Sequence, residues 1–121
     1  MSDLKQLQDA ALQFRDERDW KKFHNPKDEA VSLVLEATEL LEHFQWRLTE
    51  DEMHTHVRDN KEEVADEICD VLYWVLVMAH DLDVDLSKEF IRKLEKSAKK
   101  YPIEKTKGKS NKWTDYIDEL N

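Results

Sequence analysis

The chain has 121 residues, a formal net charge of −9 at pH 7, and 39% charged residues. This length suits one domain over residues 1–121 with one hydrophobic core. The acidic excess would repel a phosphate backbone, so binding to nucleic acid is not expected. Cys69 is the only cysteine, which excludes a disulfide framework and favours a cytoplasmic protein. The longest apolar run, residues 71–79, has nine residues and is too short to span a membrane. The N-terminus lacks the apolar stretch of a secretory signal, so none is expected.

One glycine and two prolines among many Glu, Lys and Leu residues predict an all-α protein, most simply a four-helix bundle. Asn25 before Pro26 and Asp85 before Leu86 are typical helix starts. Thr49 with Glu52 matches a capping box, which predicts a short helix in the acidic connector 50–60. The long helices are predicted at residues 3–19, 26–46, 59–80 and 86–99. Pro102 ends the last one, and residues 103–121 form a lysine-rich C-terminal tail.

The second half of the third helix, residues 71–79, is apolar on all sides. Such a helix is typical of the centre of a bundle or of an interface between subunits. Phe90, Ile91 and Leu94 on the fourth helix follow helical spacing and are expected to face inward. Because one four-helix domain covers an all-apolar helix poorly, we expect a homo-oligomer.

Two pairs of carboxylates at spacing i, i+3 lie within apolar stretches: Glu36 with Glu39, and Glu67 with Asp70. Residues at this spacing share one face of a helix. Carboxylates on an apolar face are costly unless a cation meets them. Four oxygen ligands favour Mg²⁺, with Mn²⁺ as a possible substitute. No Glu precedes a histidine by three residues, which argues against a di-iron bundle.

Acid pairs at this spacing also arise by chance, because 28 of the residues are Asp or Glu. Glu63 and Asp66 form another such pair, and we expect them to be solvated. The apolar surroundings distinguish the two pairs proposed to bind metal. Mg²⁺ held by carboxylates usually completes its shell with water and substrate phosphate. The pattern therefore indicates hydrolysis of a phosphate ester or anhydride.

Further candidates for substrate binding follow from spacing along the same helices. Trp46 lies two turns beyond the first acid pair, about 10 Å away, and Trp74 lies one turn beyond the second. The two indoles would suit stacking on a base, or they are core aromatics. Lys93 and Lys96 could neutralise a triphosphate, although a solvated surface role is the usual one for lysine.

The remaining reactive residue types have simpler interpretations. His54 and His56 lie in a polar connector without further ligands, so we expect both on the surface. His24 and His43 are more often structural histidines than catalysts. Cys69 lies between two of the acids and is expected to be a small buried residue.

Together these residues resemble the MazG-like all-α nucleoside triphosphate pyrophosphohydrolases, whose signature is Glu-x-x-Glu, a spacer, then Glu-x-x-Asp. Here 27 residues separate the two pairs. Within the family the chain is most similar to the dCTP pyrophosphatase branch, over roughly residues 7–116. The matching segments are residues 17–20, 23–24, 39–40, 44–46, 70–72, 84–86, 101–102 and 112–115, together with Lys93.

The resemblance implies hydrolysis of a nucleoside triphosphate, dCTP or a related nucleotide, to a monophosphate and pyrophosphate. It implies Mg²⁺ on the four acids, a base pocket with Trp20 and Trp46, and a dimer or, preferably, a tetramer formed from two dimers. Tyr101 lies in a matching segment and is a further substrate-binding candidate. Two positions depart from the branch: Trp74 stands where Tyr is frequent, and Ser97 stands where Asn is frequent.

The reaction expected from both arguments is attack of a metal-activated water on the α-phosphorus. Glu39 is the candidate general base, and Lys93 would help neutralise the leaving pyrophosphate. Two alternatives remain open. One is a helical partner-binding module without catalysis. The other is the same fold acting on dUTP, dUDP or a modified nucleotide.

Overall fold

The computed structural model describes residues 3–110, and this part of the chain contains α-helices and no strand. The all-α prediction is therefore confirmed. The contacts between residues divide the chain into two compact units. The first ends at Val84 and the second begins at Asp85. Residues 111–121 of the lysine-rich tail lie outside the described part. The helices are α1 (Leu4–Glu17), α2 (Pro26–Glu42), α3 (Glu50–Asp59), α4 (Lys61–Asp81), α5 (Leu86–Lys100) and α6 (Ile103–Thr106), with one 3₁₀ turn at Lys21–Phe23.

The predicted helix starts are confirmed by side-chain caps. Asn25 accepts a hydrogen bond from the amide of Asp28 and precedes Pro26 at the first position of α2. Thr49 caps α3, and Asp85 caps α5 in the same way. These polar caps satisfy amides that the first helical turn leaves unpaired.

Two helices end earlier than their periodicity predicts. The chain leaves α1 after Glu17 because Asp19 adopts a left-handed backbone conformation with φ of 54°. The prediction that the second helix continues to residue 46 is wrong, since α2 ends at Glu42. Tight turns follow over residues 43–46, and the guanidinium of Arg47 donates to the carbonyl of His43 at 2.8 Å. An unpaired terminal carbonyl thus finds its partner outside the helix.

Helix α4 lies at the centre of the first unit, with α1 and α2 packed against it. Its apolar half supplies most of the core, as expected. The buried apolar residues among those described are Ala11, Val64, Leu76, Val77 and Ala79. Burial of such side chains drives the association of the helices. None of the described helices is long and apolar enough to cross a membrane.

The second unit contains α5 and α6. Phe90, Ile91 and Leu94 are 64%, 56% and 52% exposed, so the second unit by itself does not cover them, and the expectation that they face inward stays a prediction. Their helical spacing does place them on one side of an amphipathic helix. Spacing alone does not reveal whether the same chain or another one covers that side.

Candidate metal centre and substrate cavities

Helices α2 and α4 bring together three of the four predicted metal ligands. Glu36, Glu67 and Asp70 each offer a carboxylate oxygen, and the three oxygens lie within 4.8 Å of one another. We call these residues the acid cluster. Because α2 packs along α4, one turn of each helix is enough to bring the side chains together. The spacing argument therefore describes the geometry correctly for these residues.

The acid cluster contains negative groups that lack compensation. One oxygen of Glu36 and one of Glu67 are buried and have no hydrogen-bond partner within the described chain. Burial, together with the charges of Glu39 and Asp70, raises the pKa of Glu36 to about 7. Burial and the neighbouring Glu39 also raise the pKa of Glu67. Orphaned carboxylate oxygens that repel one another are the donor set that a hard divalent cation would satisfy.

Glu39 lies beside the acid cluster but does not complete it. Its charge contributes to the raised pKa of both Glu36 and Glu67, so the three carboxylates are close. Yet it is exposed and does not belong to the group of oxygens within 4.8 Å. The structure thus groups three of the predicted ligands with Glu39 adjacent, and the metal-binding role of Glu39 stays a prediction.

An aromatic cavity of about 500 Å³ opens on one side of the acid cluster. Two of the predicted base contacts, Trp20 and Trp74, lie in its wall. The left-handed turn at Asp19 brings Trp20 back onto α1, where its ring meets that of Phe14 edge-on at 5.8 Å. The hydroxyl of Tyr73 is buried without a hydrogen-bond partner in the described chain. The lining residues are Ala10, Ala11, Phe14, Trp20, Glu36, Cys69, Asp70, Tyr73 and Trp74.

Cys69 is exposed and lines the aromatic cavity, so the expectation that it is a buried residue is wrong. Its position follows from the helix, because Cys69 is the neighbour of Asp70 and reaches the same opening. Phe14 and Tyr73 also line the cavity, and sequence reasoning did not single them out. Tyr73 directly precedes Trp74, and this pair of aromatic residues was the available signal.

A polar cavity of about 440 Å³ opens elsewhere on the cluster, with Glu39 and Glu67 in its wall. Here Nδ1 of His43 lies 2.8 Å from Nε2 of His56. The expectation that His56 lies on the surface is wrong, since the ring is half-buried. Its burial depends on α3 meeting the end of α2, which a local polar pattern does not reveal. The lining residues are Glu39, Glu42, His43, Arg47, His56 and Glu67.

The other histidine of the connector, His54, is exposed as expected, and so are Glu63 and Asp66. The solvated interpretation of that acid pair is confirmed. Glu36 and Glu67, which lie among apolar residues, are half-buried, whereas Glu63 and Asp66 are exposed.

Trp46 lies away from the aromatic cavity. It is 80% exposed and lines a separate cavity with Arg47. The prediction counted two helical turns from Glu39, but α2 ends at Glu42 and the turns that follow carry the indole elsewhere. The structure thus places Trp20 and Trp74, but not Trp46, beside the acid cluster.

Lys93, Lys96 and Tyr101 belong to the second unit, and their roles at the site stay predictions. Within α5 the ammonium of Lys93 donates to the hydroxyl of Ser97 at 3.4 Å. The two residues are one turn apart and so share a face. Lys93 and Ser97, both singled out in the sequence, are therefore neighbours.

A second group of acids, which sequence reasoning did not find, lies at the other end of α4. Arg15 is 1% exposed and donates to both oxygens of Asp81, at 2.7 and 3.1 Å. Glu29 is equally buried, and both its oxygens lack a hydrogen-bond partner within the described chain. Oxygens of Glu29 and Asp81 and a ring nitrogen of His24 lie within 4.8 Å of one another. We call these four residues the arginine cluster.

The guanidinium decides the electrostatics of the arginine cluster. Burial alone would raise the pKa of Asp81, but Arg15 outweighs it and holds that pKa below its usual value. Burial and the nearby Asp81 raise the pKa of Glu29 to about 7. Burial and Arg15 lower the pKa of His24. Arg15 already supplies the positive charge, so a proton on Glu29 is enough to make the cluster neutral.

The comparisons with known proteins bear on the same helices. The model of the MazG-like family matches residues 31–116, which include all of the acid cluster. The chain belongs to the MazG-like family. This confirms the resemblance drawn from the sequence.

Curated relatives and a solved structure agree with this membership. The chain is 33% identical over 117 residues to dCTP pyrophosphatase 1 of Rattus norvegicus, covering 95% of this chain and 66% of that protein. Identity to dCTP pyrophosphatase 1 of Homo sapiens is 32% with the same coverage. The chain thus spans about two thirds of the length of these relatives. A crystal structure of a pyrophosphatase from Archaeoglobus fulgidus superposes with a TM-score of 0.78 at 39% identity, covering 84% of this chain and 94% of that one.

Proposed function

We propose that this protein hydrolyses a nucleoside triphosphate between its α and β phosphates, giving a nucleoside monophosphate and pyrophosphate. The favoured substrate is dCTP or a related modified deoxynucleotide. The relatives named dCTP pyrophosphatase and the solved pyrophosphatase support this class of enzyme. The observation that carries the proposal is the position of the acid cluster between two cavities of different chemistry.

The division of the acids between the cavities suggests how a nucleotide would lie. Glu36 and Asp70 face the aromatic cavity, whereas Glu39 and Glu67 face the polar one. We assign the base to the aromatic cavity and the phosphate chain to the polar one. A base needs flat apolar walls, and a triphosphate needs cations and N–H donors.

Glu36, Glu67 and Asp70 would hold the metal, which we propose to be Mg²⁺, with Mn²⁺ able to replace it. The buried oxygens of Glu36 and Glu67, which have no hydrogen-bond partner in the described chain, fit a hard divalent cation. When bound, such a cation polarises phosphate oxygens and lowers the pKa of bound water. Glu39 is exposed at the edge of the cluster, and its carboxylate would take a proton from the attacking water.

The base contacts proposed within one chain are Trp20 and Trp74. The base-binding role of Trp46 stays a prediction. Tyr73 offers a buried hydroxyl without a partner in the described chain, and a base edge could satisfy it. Lys93, Lys96 and Tyr101 remain proposed contacts to the phosphates and the substrate. Their contribution is to neutralise charge on the leaving pyrophosphate.

We also propose that the protein acts as a homo-oligomer, a tetramer built from two dimers in preference to a dimer. Large apolar residues are exposed on α2 and α5, among them Val34 at 62% and Phe90 at 64%. Burying them between copies would remove apolar area from water. Mass measurement in solution tests this, and a strict monomer at micromolar concentration would contradict it.

The reaction is tested with a panel of ribo- and deoxyribonucleoside triphosphates in isotopically labelled water. Each nucleotide is incubated with Mg²⁺ or with EDTA, and the products are separated and weighed. We expect metal-dependent release of pyrophosphate, with the water oxygen in the monophosphate and the fastest turnover for deoxycytidine nucleotides. Labelled pyrophosphate would mean attack at the wrong phosphorus.

Other outcomes of the panel discriminate among the alternatives. A different base preference would keep the reaction and discard dCTP as the substrate. Preference for dUTP, dUDP or a modified nucleotide would be one such outcome. No release from any nucleotide would favour the partner-binding module.

A further inference from the structure

Three side chains at the rim of the polar cavity form a chain of hydrogen bonds. The amide nitrogen of Asn60 lies 3.2 Å from Nδ1 of His56, and Nε2 of His56 lies 2.8 Å from Nδ1 of His43. The same amide nitrogen donates to the backbone carbonyl of His56 at 3.1 Å. The three residues come from the end of α2, from α3, and from the junction of α3 and α4.

The carbonyl of His56 fixes the direction of this chain. A backbone carbonyl can only accept, so the side-chain atom of Asn60 that faces it is the nitrogen and not the oxygen. That NH₂ group also faces Nδ1 of His56, which must therefore accept. A neutral imidazole has one N–H, so His56 carries its proton on Nε2 and donates it to Nδ1 of His43.

His43 is then left with one possible neutral form. Its Nδ1 accepts from His56, so its proton is on Nε2. A ring in this form has no free lone pair, so it can neither bind a metal ion nor take a proton from water. What it offers is a directed N–H donor. Burial, with Arg47 and His43 nearby, lowers the pKa of His56, which agrees with a neutral ring at the centre of the chain.

His43 lies in the wall of the polar cavity, where its N–H group could bind a phosphate oxygen. The polar cavity has carboxylates in one part of its wall, Glu39 and Glu67, and N–H donors in another, His43 and Arg47. Arg47 is held there by its bond to the carbonyl of His43 at 2.8 Å. A phosphate attracted to a cation on the acids would need such donors for its remaining oxygens.

We propose that His43, held with its proton on Nε2 by His56 and Asn60, donates a hydrogen bond to the phosphate chain of the substrate. His43 is then a substrate-binding residue, and His56 and Asn60 are positioning residues. The proposal rests on the proposed function for the identity of the ligand. The direction of the hydrogen-bond chain does not depend on it.

The tautomers can be measured directly by NMR on the full-length protein labelled with ¹⁵N-histidine. We expect both His43 and His56 to carry the proton on Nε2, with a scalar coupling between Nε2 of His56 and Nδ1 of His43 across the hydrogen bond. Adding inorganic pyrophosphate with Mg²⁺ should shift the Nε2–H signal of His43. A proton on Nδ1 of His43, or a signal that pyrophosphate does not move, would overturn the proposal.

Substitutions test the contribution to binding. His43→Phe keeps a ring and removes the donor, and should weaken binding of Mg²⁺-pyrophosphate by about 10- to 100-fold, the usual effect of losing a hydrogen bond to a charged group. His43→Gln keeps an N–H and should recover part of the loss. His56→Phe should give a smaller loss and allow His43 to populate both tautomers. His54→Phe, on the exposed face of the same helix, is the matched control.

Two readouts separate failure of this proposal from failure of the proposed function. If the wild type hydrolyses dCTP and His43→Phe keeps kcat/KM within about twofold, the donor role is wrong and the enzyme class survives. If the wild type hydrolyses no nucleotide, pyrophosphate binding and the ¹⁵N spectra still decide whether His43 donates to phosphate. Equal pyrophosphate affinity of wild type and His43→Phe would then overturn the donor role as well.

Discussion

The acid cluster and the arginine cluster have similar components and opposite electrostatics. Each contains a Glu whose pKa is raised to about 7. In the acid cluster it is the half-buried Glu36, and in the arginine cluster it is the buried Glu29. In the arginine cluster a buried guanidinium holds Asp81 ionised and leaves one proton to balance the charge. In the acid cluster the charges that act on Glu36 are all negative. The same residue type is therefore structural where Arg15 is present and a candidate metal ligand where no cation accompanies it.

Helix α4 contributes residues to both clusters, which shows how one helix can serve two purposes. Its beginning carries Glu67 and Asp70 toward α2, and its end carries Asp81 toward Arg15 on α1. A buried ion pair is costly to break because the remaining charge is left without a partner. An uncompensated acid group is instead ready for a cation supplied from solution. Substitutions in the two clusters should therefore have different effects on stability and on turnover.

The largest contrast concerns turnover. Glu36→Gln or Asp70→Asn should lower kcat/KM for the best nucleotide on the order of 10³-fold, because the metal that polarises the phosphate loses a ligand. Glu29→Gln should keep near-normal turnover, since it only replaces a protonated carboxyl by an amide. The metal-free acid-cluster variants should melt no lower than the wild type, because they lose a repelling charge. Near-normal turnover of Asp70→Asn at saturating Mg²⁺ would show that the site assignment is wrong.

Loss of Arg15 from the arginine cluster should lower stability, in contrast to the acid-cluster variants. Arg15→Met should lower the free energy of unfolding by about 3 kcal/mol, because it leaves Asp81, whose side chain is only 16% exposed, without its partner. Chemical denaturation measures this. The matched control is Arg58→Met, whose side chain is 75% exposed beside Asp59 and should change stability by less than about 1 kcal/mol. Equal effects of the two substitutions would mean that the arginine cluster contributes nothing specific.

Stabilisation by metal is the third contrast. Mg²⁺ at about 100 times its dissociation constant should stabilise the wild type by about 2.7 kcal/mol, and the melting temperature should rise. The rise should persist in Glu29→Gln and disappear in Glu36→Gln. Loss of the shift in Glu29→Gln alone would move the metal to the arginine cluster, where His24, Glu29 and Asp81 also have suitable spacing.

The last contrast is the pH dependence that Glu29 contributes. Its pKa is raised from 4.5 in the unfolded chain to about 7 in the folded protein, so the folded state binds more protons in this window. Its contribution to stability is complete below pH 4.5 and is lost as the pH rises to about 7. Glu29→Gln should therefore flatten the stability curve between these values. The exposed Glu63→Gln is the control and should leave the curve unchanged, and an unchanged curve for Glu29→Gln would contradict the assignment.

The helices and the acid cluster could be predicted from the sequence because both depend on local spacing. Caps at Asn25, Thr49 and Asp85 mark helix starts through contacts three residues away. The i, i+3 pairs within apolar stretches identified the residues of the acid cluster for the same reason, since one turn of helix fixes which side chains share a face. Family resemblance then added the reaction.

The features that sequence reasoning missed depend on contacts between distant segments. The arginine cluster joins Arg15, Glu29 and Asp81 from three helices, and each alone resembles an ordinary surface charge. His56 is half-buried only because α3 meets the end of α2. Trp46 lies elsewhere than helical periodicity predicts because α2 ends at Glu42, where Arg47 bonds to the carbonyl of His43.

The most direct test of the metal centre is Mn²⁺ binding followed by electron paramagnetic resonance. The concentration of free Mn²⁺ is measured in solutions of three proteins: the wild type, the double variant that combines Glu36→Gln with Asp70→Asn, and the variant Glu29→Gln. We expect the wild type and Glu29→Gln to bind Mn²⁺ with equal affinity, with Mg²⁺ displacing it, and the double variant to bind none. Full binding by the double variant, or loss of binding in Glu29→Gln, would contradict the assignment of the metal to Glu36, Glu67 and Asp70.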